Sequence, residues 1–272
     1  MTRMPRPIIT FTSDFGHEDW FVGVVHGVLY GLCPEAHIVD LAHDIPPGNI
    51  GRAAFVLEAA VAVFPAGTIH LAVVDPGVGT ARRALAVRAH GQQFVGPDNG
   101  ILEWALAVPE AEAHALTEAR YFREHVSRTF HGRDVFAPVA AHLACGVAIG
   151  KMGPRVSDPV RLERAQPRVD DGALLGRVAY IDRFGNALTN LKTEIVAAAF
   201  PGVPEERLEV GVSSRSIRGI SRSYGDGAMG AIVAIMGSSG RLEIAQVGGD
   251  ASSRLGLGEG DPVRVRVAGP RV

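Results

Sequence analysis

Cysteine is almost missing from this 272-residue chain: only Cys33 and Cys145 occur, each in apolar surroundings (GLCPEA and HLACGV). Two thiols so placed build neither a disulfide framework nor a Cys-rich metal site, and they point to a reducing compartment. Aromatic residues are only 6%, and Lys+Arg 27 against Asp+Glu 29 leaves a net charge of −2 with no run of one sign. A nucleic-acid binder draws much of its affinity from clustered cations on phosphates, so nucleic acid is not an expected partner. Long hydrophobic runs are missing too. No stretch approaches the roughly 18 apolar residues that cross a bilayer, and the apolar part of the opening MTRMPRPIITFTSDFG is too short for a secretory leader. The expectation is a cytoplasmic protein with no membrane partner.

What the chain does have is an apolar fraction of 47%, enough for a real core, and frequent turns from Gly 33 and Pro 17. Disorder and a single small module are thereby excluded. Pro7 to Ser13 (PIITFTS) reads as a strand, followed by a polar turn and a helix from about Asp19 to Leu32. The unit repeats as strand His37 to Leu41, helix Asn49 to Phe64 and strand Thr68 to Val74. Strands alternating with helices predict a mostly parallel sheet, whose ligands sit beyond the carboxyl ends of the strands, where Asp14 and Asp75 stand. Strands Ala84 to Ala89 and Gln93 to Val95, a helix Ile101 to Ala107 and a helix Val135 to Cys145 follow. The aperiodic stretch 153–172 (GPRVSDPVRLERAQPRVDDG) reads as a linker between an N-terminal α/β domain, residues 1–152, and a smaller C-terminal domain, residues 173–272. Short glycine-punctuated strands at Leu175–Ile181, Ala187–Leu191, Arg207–Val212, Ala231–Met236, Arg241–Gln246 and Pro262–Val267 predict an antiparallel β-barrel there.

Six motifs carry the chemistry. Asp14-Phe15-Gly16 spells a kinase triplet, but at position 14 no glycine-rich loop or strand lysine can precede it. Asp14 either caps the next helix or, with Ser13, Glu18 and Asp19, forms a polar strand exit that binds a ligand. Val73 to Arg83 (VVDPGVGTARR) is a turn in which Arg82 returns a cation to Asp75; no Lys-Ser/Thr follows, so it is not a phosphate loop. Asp98-Asn99-Gly100 is a further turn. Thr129 to Asp134 (TFHGRD) sets His131 at a glycine turn before an apolar helix, with His17 and His43 as its only rivals. No His-x-x-x-His pair is present, so no zinc site is expected. Tyr180 to Asn190 (YIDRFGNALTN) and Met236 to Ala245 (MGSSGRLEIA) are either hairpin corners or surfaces for a base and a sugar.

Taken in order, SDFG, VVDPGVGT with Arg82, DNG, TFHGRD, IDRFGN and GSSGRLEIA make the chain resemble the S-adenosyl-L-methionine hydrolases (SAM hydroxide adenosyltransferases), relatives of the bacterial fluorinase and chlorinase. The resemblance implies hydrolysis of a small-molecule substrate, S-adenosyl-L-methionine, to adenosine and L-methionine, without cofactor or metal. It also implies a homotrimer with active sites between the N-terminal domain of one subunit and the C-terminal domain of the next. The family's catalytic triad falls on Asp75, Arg82 and His131. In the halogenating relatives the aspartate position is aromatic and the histidine is replaced, so retaining both implies water as nucleophile. Asp14 matches the ribose-binding aspartate, with Asp19 beside it, and Asp182, Phe184 and Asn186 match residues around methionine and adenosine. Ser238 and Ser239 lie where the family's backbone meets adenine. Two departures stand out: Gly237 replaces a common Asn, and the tract Val212 to Gly230 matches only at Tyr224 and Asp226. Tyr224 with Phe184 is expected to offer a ring to the ligand.

Overall fold

Residues Ile8–Ser13 extend as strand β1 because a run of β-branched and aromatic side chains suits a strand buried on both faces. The computed structural model describes residues 6–163 and 165–269; the basic opening residues 1–5 lie outside them. The chain falls into two units, Met1–Leu162 and Glu163–Val272.

In the first unit β1 is followed by α1 (Phe21–Leu32), β2 (His37–Ala42), α2 (Ile50–Val61), β3 (Ile69–Val73), β4 (Ala84–Ala89), β5 (Gln92–Pro97), β6 (Glu112–Ala115) and α3 (Ala137–Ala144). Sheet order is β2-β1-β3-β5-β4-β6. The β1–β2, β1–β3 and β3–β5 pairs are parallel, while β4 runs against both β5 and β6. From β1 the chain moves through α1 to one side and returns through α2 to the other. The carboxyl ends of β1 and β3 therefore flank a topological switch point, where open α/β sheets leave a crevice. Strand β3 is buried throughout because its faces serve two cores: Leu71 and Val73 pack toward α1 and α3, Ala72 and Val74 toward α2. His70 joins this interior as a neutral structural group, with Thr10 Oγ1 2.7 Å from its Nδ1. Burial pushes its pKa down to about 4.

Several boundaries differ from the sequence reading. Helix α1 starts at Phe21, and its N-cap, Trp20, offers no side-chain hydrogen bond. Asp14 is therefore not its cap; it accepts a hydrogen bond from the Gly48 amide at 2.8 Å instead. The expected helix 101–107 shrinks to a turn and a short 3-10 segment, Ala105–Ala107, cut off before Pro109. Strand β6 went unread because its four residues, EAHA, carry no strand signal. Helix α3 begins only after a π-turn over Gly132–Phe136. Its cause is legible in the bonding. Pro138 has no amide to give Asp134, whose carbonyl is taken by the Arg123 amide at 2.9 Å, and the Ala137 amide reaches back to Gly132.

The second unit comprises β7 (Arg168–Asp170), β8 (Ala173–Ile181), β9 (Ala187–Lys192), α4 (Thr193–Ala199), β10 (Leu208–Val212), β11 (Arg215–Arg218), β12 (Ile232–Met236), β13 (Arg241–Gln246), α5 (Ala251–Leu255) and β14 (Pro262–Val267). The main path, β11-β10-β14-β8-β9-β13-β12, is antiparallel throughout. Its two ends approach through the Ser221 amide, 2.7 Å from the Ala234 carbonyl, so the sheet nearly closes into a barrel. The stretch 153–172 is not a free spacer: Val156 bonds Ala113 at 2.8 Å in the first unit, while Arg168–Asp170 pairs with β8 in the second.

The two cysteines, distant in sequence, meet. Cys33 closes α1 and Cys145 closes α3, and their thiols share a hydrogen bond. Burial, reinforced by Cys145, pushes the Cys33 thiol up to about 12. Only the thiolate alkylates, so iodoacetamide at mildly alkaline pH is expected to label the exposed Cys145 and spare Cys33, as counted by peptide mass spectrometry. Among the described residues no helix is long and apolar enough to cross a membrane.

Candidate active site

A cleft of about 390 Å³ opens at the switch point of the first unit, and Asp14, Asp75 and His131 all line it. Each is held by backbone that its local sequence dictates. Asp75 follows β3 at the start of the Asp-Pro-Gly turn, closed by the Val78 amide on the Asp75 carbonyl at 3.1 Å. Asn99 of the DNG motif fixes the residue before it, donating to the Val74 carbonyl at 2.9 Å. Gly79 has φ +77, and a Cβ there would lie 2.2 Å from the Arg128 carbonyl oxygen. The turn at Gly79 and the 128–131 segment thus approach too closely for a side chain, which brings His131 within reach of Asp75 and Arg82.

Arg82 Nε donates to both Asp75 oxygens at 3.0 Å, and its Nη2 donates to Oδ2 as well. The pair is largely dry, with 5% of the Asp75 and 12% of the Arg82 side chain exposed. Phe136 covers the guanidinium at 5.2 Å. The same Nη2 lies 2.8 Å from His131 Nδ1. Guanidinium nitrogens only donate, so Nδ1 accepts and the proton of neutral His131 sits on Nε2. Burial and then the Arg82 charge hold the His131 pKa below the usual 6.5, against a smaller opposing pull from Asp75 and Asp134.

Two supports went unread in the sequence. Asp134 is fully buried and accepts from Arg133 Nε at 2.6 Å, Arg123 Nη1 at 3.2 Å and the Ser127 amide at 2.9 Å. Burial works to raise its pKa, but these partners, Arg133 foremost, keep the carboxylate ionised. It ties down the loop that carries His131; an acid just ahead of an apolar helix containing Pro138 was the available signal. Phe15 and Phe130 line the cleft with ring centroids 5.8 Å apart, and Phe21 packs against both. The rival His43 is buried between Ser13 Oγ at 2.7 Å and Asp40 at 2.9 Å, a strand-end brace. Asp19 is exposed and does not line the cleft.

In the second unit the motifs Tyr180 to Asn190 and Met236 to Ala245 lie at the β8–β9 and β12–β13 corners. Asp182 Oδ1 accepts from the Phe184 and Asn186 amides at 2.8 and 2.9 Å, and Oδ2 accepts from the Asn186 side chain at 2.9 Å. This corner pushes Phe184 outward, 76% exposed. Ser238 is exposed in the β12–β13 turn, while the Ser239 hydroxyl is buried with no partner. Tyr224 donates its hydroxyl to Glu243, a buried acid between Leu242 and Ile244 of β13. Burial raises the Glu243 pKa, with Asp182 adding to it and the Tyr224 hydroxyl opposing. A Cβ at position 237 would lie 2.3 Å from Glu243 Oε2, so a side chain there would displace the Glu243 carboxyl. Among the described residues no three His, Cys, Asp or Glu side chains are placed to hold a metal ion.

Comparison with known proteins gives the same picture at family level. The profile of the SAM hydroxide adenosyltransferase N-terminal domain matches residues 9–153, and that of its C-terminal domain matches residues 176–264. A protein of Thermus thermophilus named (R)-S-adenosyl-L-methionine hydrolase is 43% identical over 269 residues, covering 96% of this chain and 99% of its own. One of the same name from Salinispora tropica is 40% identical over 265 residues, covering 96% and 98%. A fluorinase of Nocardia brasiliensis is more distant, 30% identical over 302 residues, covering 96% and 97%. Among solved structures, a conserved protein of Thermotoga maritima superposes with a TM-score of 0.88 at 34% identity, covering 95% of this chain and 99% of that one.

Proposed function

The chain belongs to the SAM hydroxide adenosyltransferase family, and from that premise we propose that it hydrolyses S-adenosyl-L-methionine to adenosine and L-methionine at the Asp75–Arg82–His131 group. The observation that carries this reading is the dry, forked Asp75–Arg82 pair joined to neutral His131 on the wall of a cleft.

The sulfonium is already a good leaving group, so neither an acid to protonate it nor a metal to polarise it is required. The enzyme must hold a water in line with C5′, opposite the sulfur. Asp75 Oδ1 accepts only from Arg82 Nε and keeps a lone pair, so the carboxylate can orient the water and take its proton there as the C–O bond forms. His131 cannot be that base. Its Nδ1 already accepts from Arg82, leaving Nε2–H as a donor that positions the water oxygen. A halide at this place would face the Asp75 carboxylate, which favours water as nucleophile. Asp14, braced by the Gly48 amide, is the ribose contact in this scheme.

We further assign the (R) configuration at sulfur, the form in the relatives' name, and a homotrimer. In it Phe184, Asn186, Tyr224, Ser238 and Ser239 of one subunit, with Asp182, meet the cleft of a neighbour; the exposed Phe184 ring and the orphaned Ser239 hydroxyl support this. Cytoplasmic location rests on the two free thiols.

Purified protein with S-adenosyl-L-methionine and chelator is expected to give adenosine and methionine by chromatography. Product only after metal addition, or 5′-chloro-5′-deoxyadenosine when chloride is supplied, overturns the reading. Because burial and the Arg82 charge lower the His131 pKa, the acid limb of kcat/KM is expected at lower pH than an ordinary imidazole would give, where protonation sets His131 against Arg82. His131→Gln should abolish that acid limb.

A further inference from the structure

A concavity of about 460 Å³ in the second unit lies on the outer face of the barrel and plays no part in the chemistry above. Its lining includes three exposed arginines, Arg168, Arg177 and Arg264. Register places them together. Leu175 of β8 is paired with Arg168 of β7 on one side and with Arg264 of β14 on the other, and Arg177 follows two residues along the same face. Two strand spacings, roughly 10 Å, therefore separate the outer pair along the sheet.

Among the described residues none of these three arginines forms an ion pair; Arg177 only donates to the Gly260 carbonyl at 3.2 Å. Elsewhere on this same face the chain does supply acids. Arg266, two residues beyond Arg264, stands opposite Glu209 and bonds it at 2.6 Å. Opposite Arg264 stands Gly211. Nothing in the protein demands glycine there: a Cβ at 211 would meet no atom closer than 3.7 Å, and its φ is ordinary. The missing side chain leaves the groove open and its cations uncompensated. Asn190, donating to the Ala165 carbonyl at 2.9 Å and accepting from the Arg177 amide at 2.8 Å, fixes the segment that forms the wall.

Like charges crowded on one face repel, so an anion of high charge density is the complementary occupant. Guanidinium groups bind phosphoryl oxygens in a planar fork, and the volume suits a small molecule. With a net charge of −2 and no run of like charge leading away from the groove, a polymer is not what it fits. We propose that the groove of Arg168, Arg177 and Arg264 is a binding site for a small molecule bearing two or more linked phosphoryl groups. The site shares no residue with the hydrolytic cleft and does not rest on the reaction assigned to it.

Inorganic pyrophosphate is the probe, titrated calorimetrically into the full-length protein at low salt. Saturable binding is expected, weakening as sodium chloride rises. Gly211→Glu places an acid opposite Arg264, as Glu209 stands opposite Arg266, and its Cβ has room, so the fold is retained. It is expected to weaken binding about tenfold or more, as is Arg264→Glu. Arg120→Glu, on the first unit, should leave binding unchanged, and adenosine formation should be unaffected by Gly211→Glu. No saturable heat at millimolar pyrophosphate, or binding that survives both groove variants, overturns the proposal.

Discussion

Asp75→Ala is expected to lower kcat by about two to four orders of magnitude while leaving KM within a few fold, because in the proposed mechanism the carboxylate acts on the attacking water rather than on the bound substrate. The side chain is 95% enclosed and forks onto Arg82, so the variant also leaves a guanidinium that is only 12% exposed without its counter-charge. That cost is a matter of folding, and circular dichroism with a thermal melt separates it from catalysis. Asp75→Asn keeps the shape and one acceptor oxygen but removes the charge. It should be nearly as slow as the alanine variant with a melt closer to the parent. Equal losses in binding and turnover would instead make Asp75 a recognition residue.

The second large effect falls on a residue with no side chain. Gly79→Ala forces a Cβ into the Arg128 carbonyl oxygen, 2.2 Å away, from a backbone with φ +77. The conformational strain alone is about 1–3 kcal/mol, and the clash adds to it unless the 128–131 segment moves. If the segment holds, the melting temperature should fall by roughly 5–10 °C. If it gives way, His131 leaves Arg82 and turnover falls sharply at a smaller cost in stability. Scanning calorimetry alongside steady-state rates distinguishes the two, and a variant with parental melt and parental rate contradicts this account of the turn.

Much of this was readable from the residues. Alternating apolar strands and helices gave the order of the first unit, and the ends of β1 and β3 marked the cleft before any contact was known. The return of Arg82 toward Asp75 was visible as spacing within one turn. What spacing could not carry was long-range. His131 reaches Arg82 across 49 residues only because Gly79 lets backbone meet backbone. Beside the adjacent Arg133, the partners of Asp134 are Arg123 and the Ser127 amide, which belong to an irregular loop with no period to mark them. The Glu243–Tyr224 pair joins a strand to a tract that matched its family at only two positions. Asp14 was open between cap and site because a cap is a local event, and its actual partner, Gly48, comes from another βα unit.

The central claim is that water, positioned by Asp75, attacks C5′ with loss of methionine. Turnover in water enriched in heavy oxygen tests it most directly. The label is expected in the 5′-hydroxyl of adenosine and nowhere in methionine, as read by mass spectrometry. Unlabelled adenosine, label in methionine, or no adenosine at all from folded protein would contradict it.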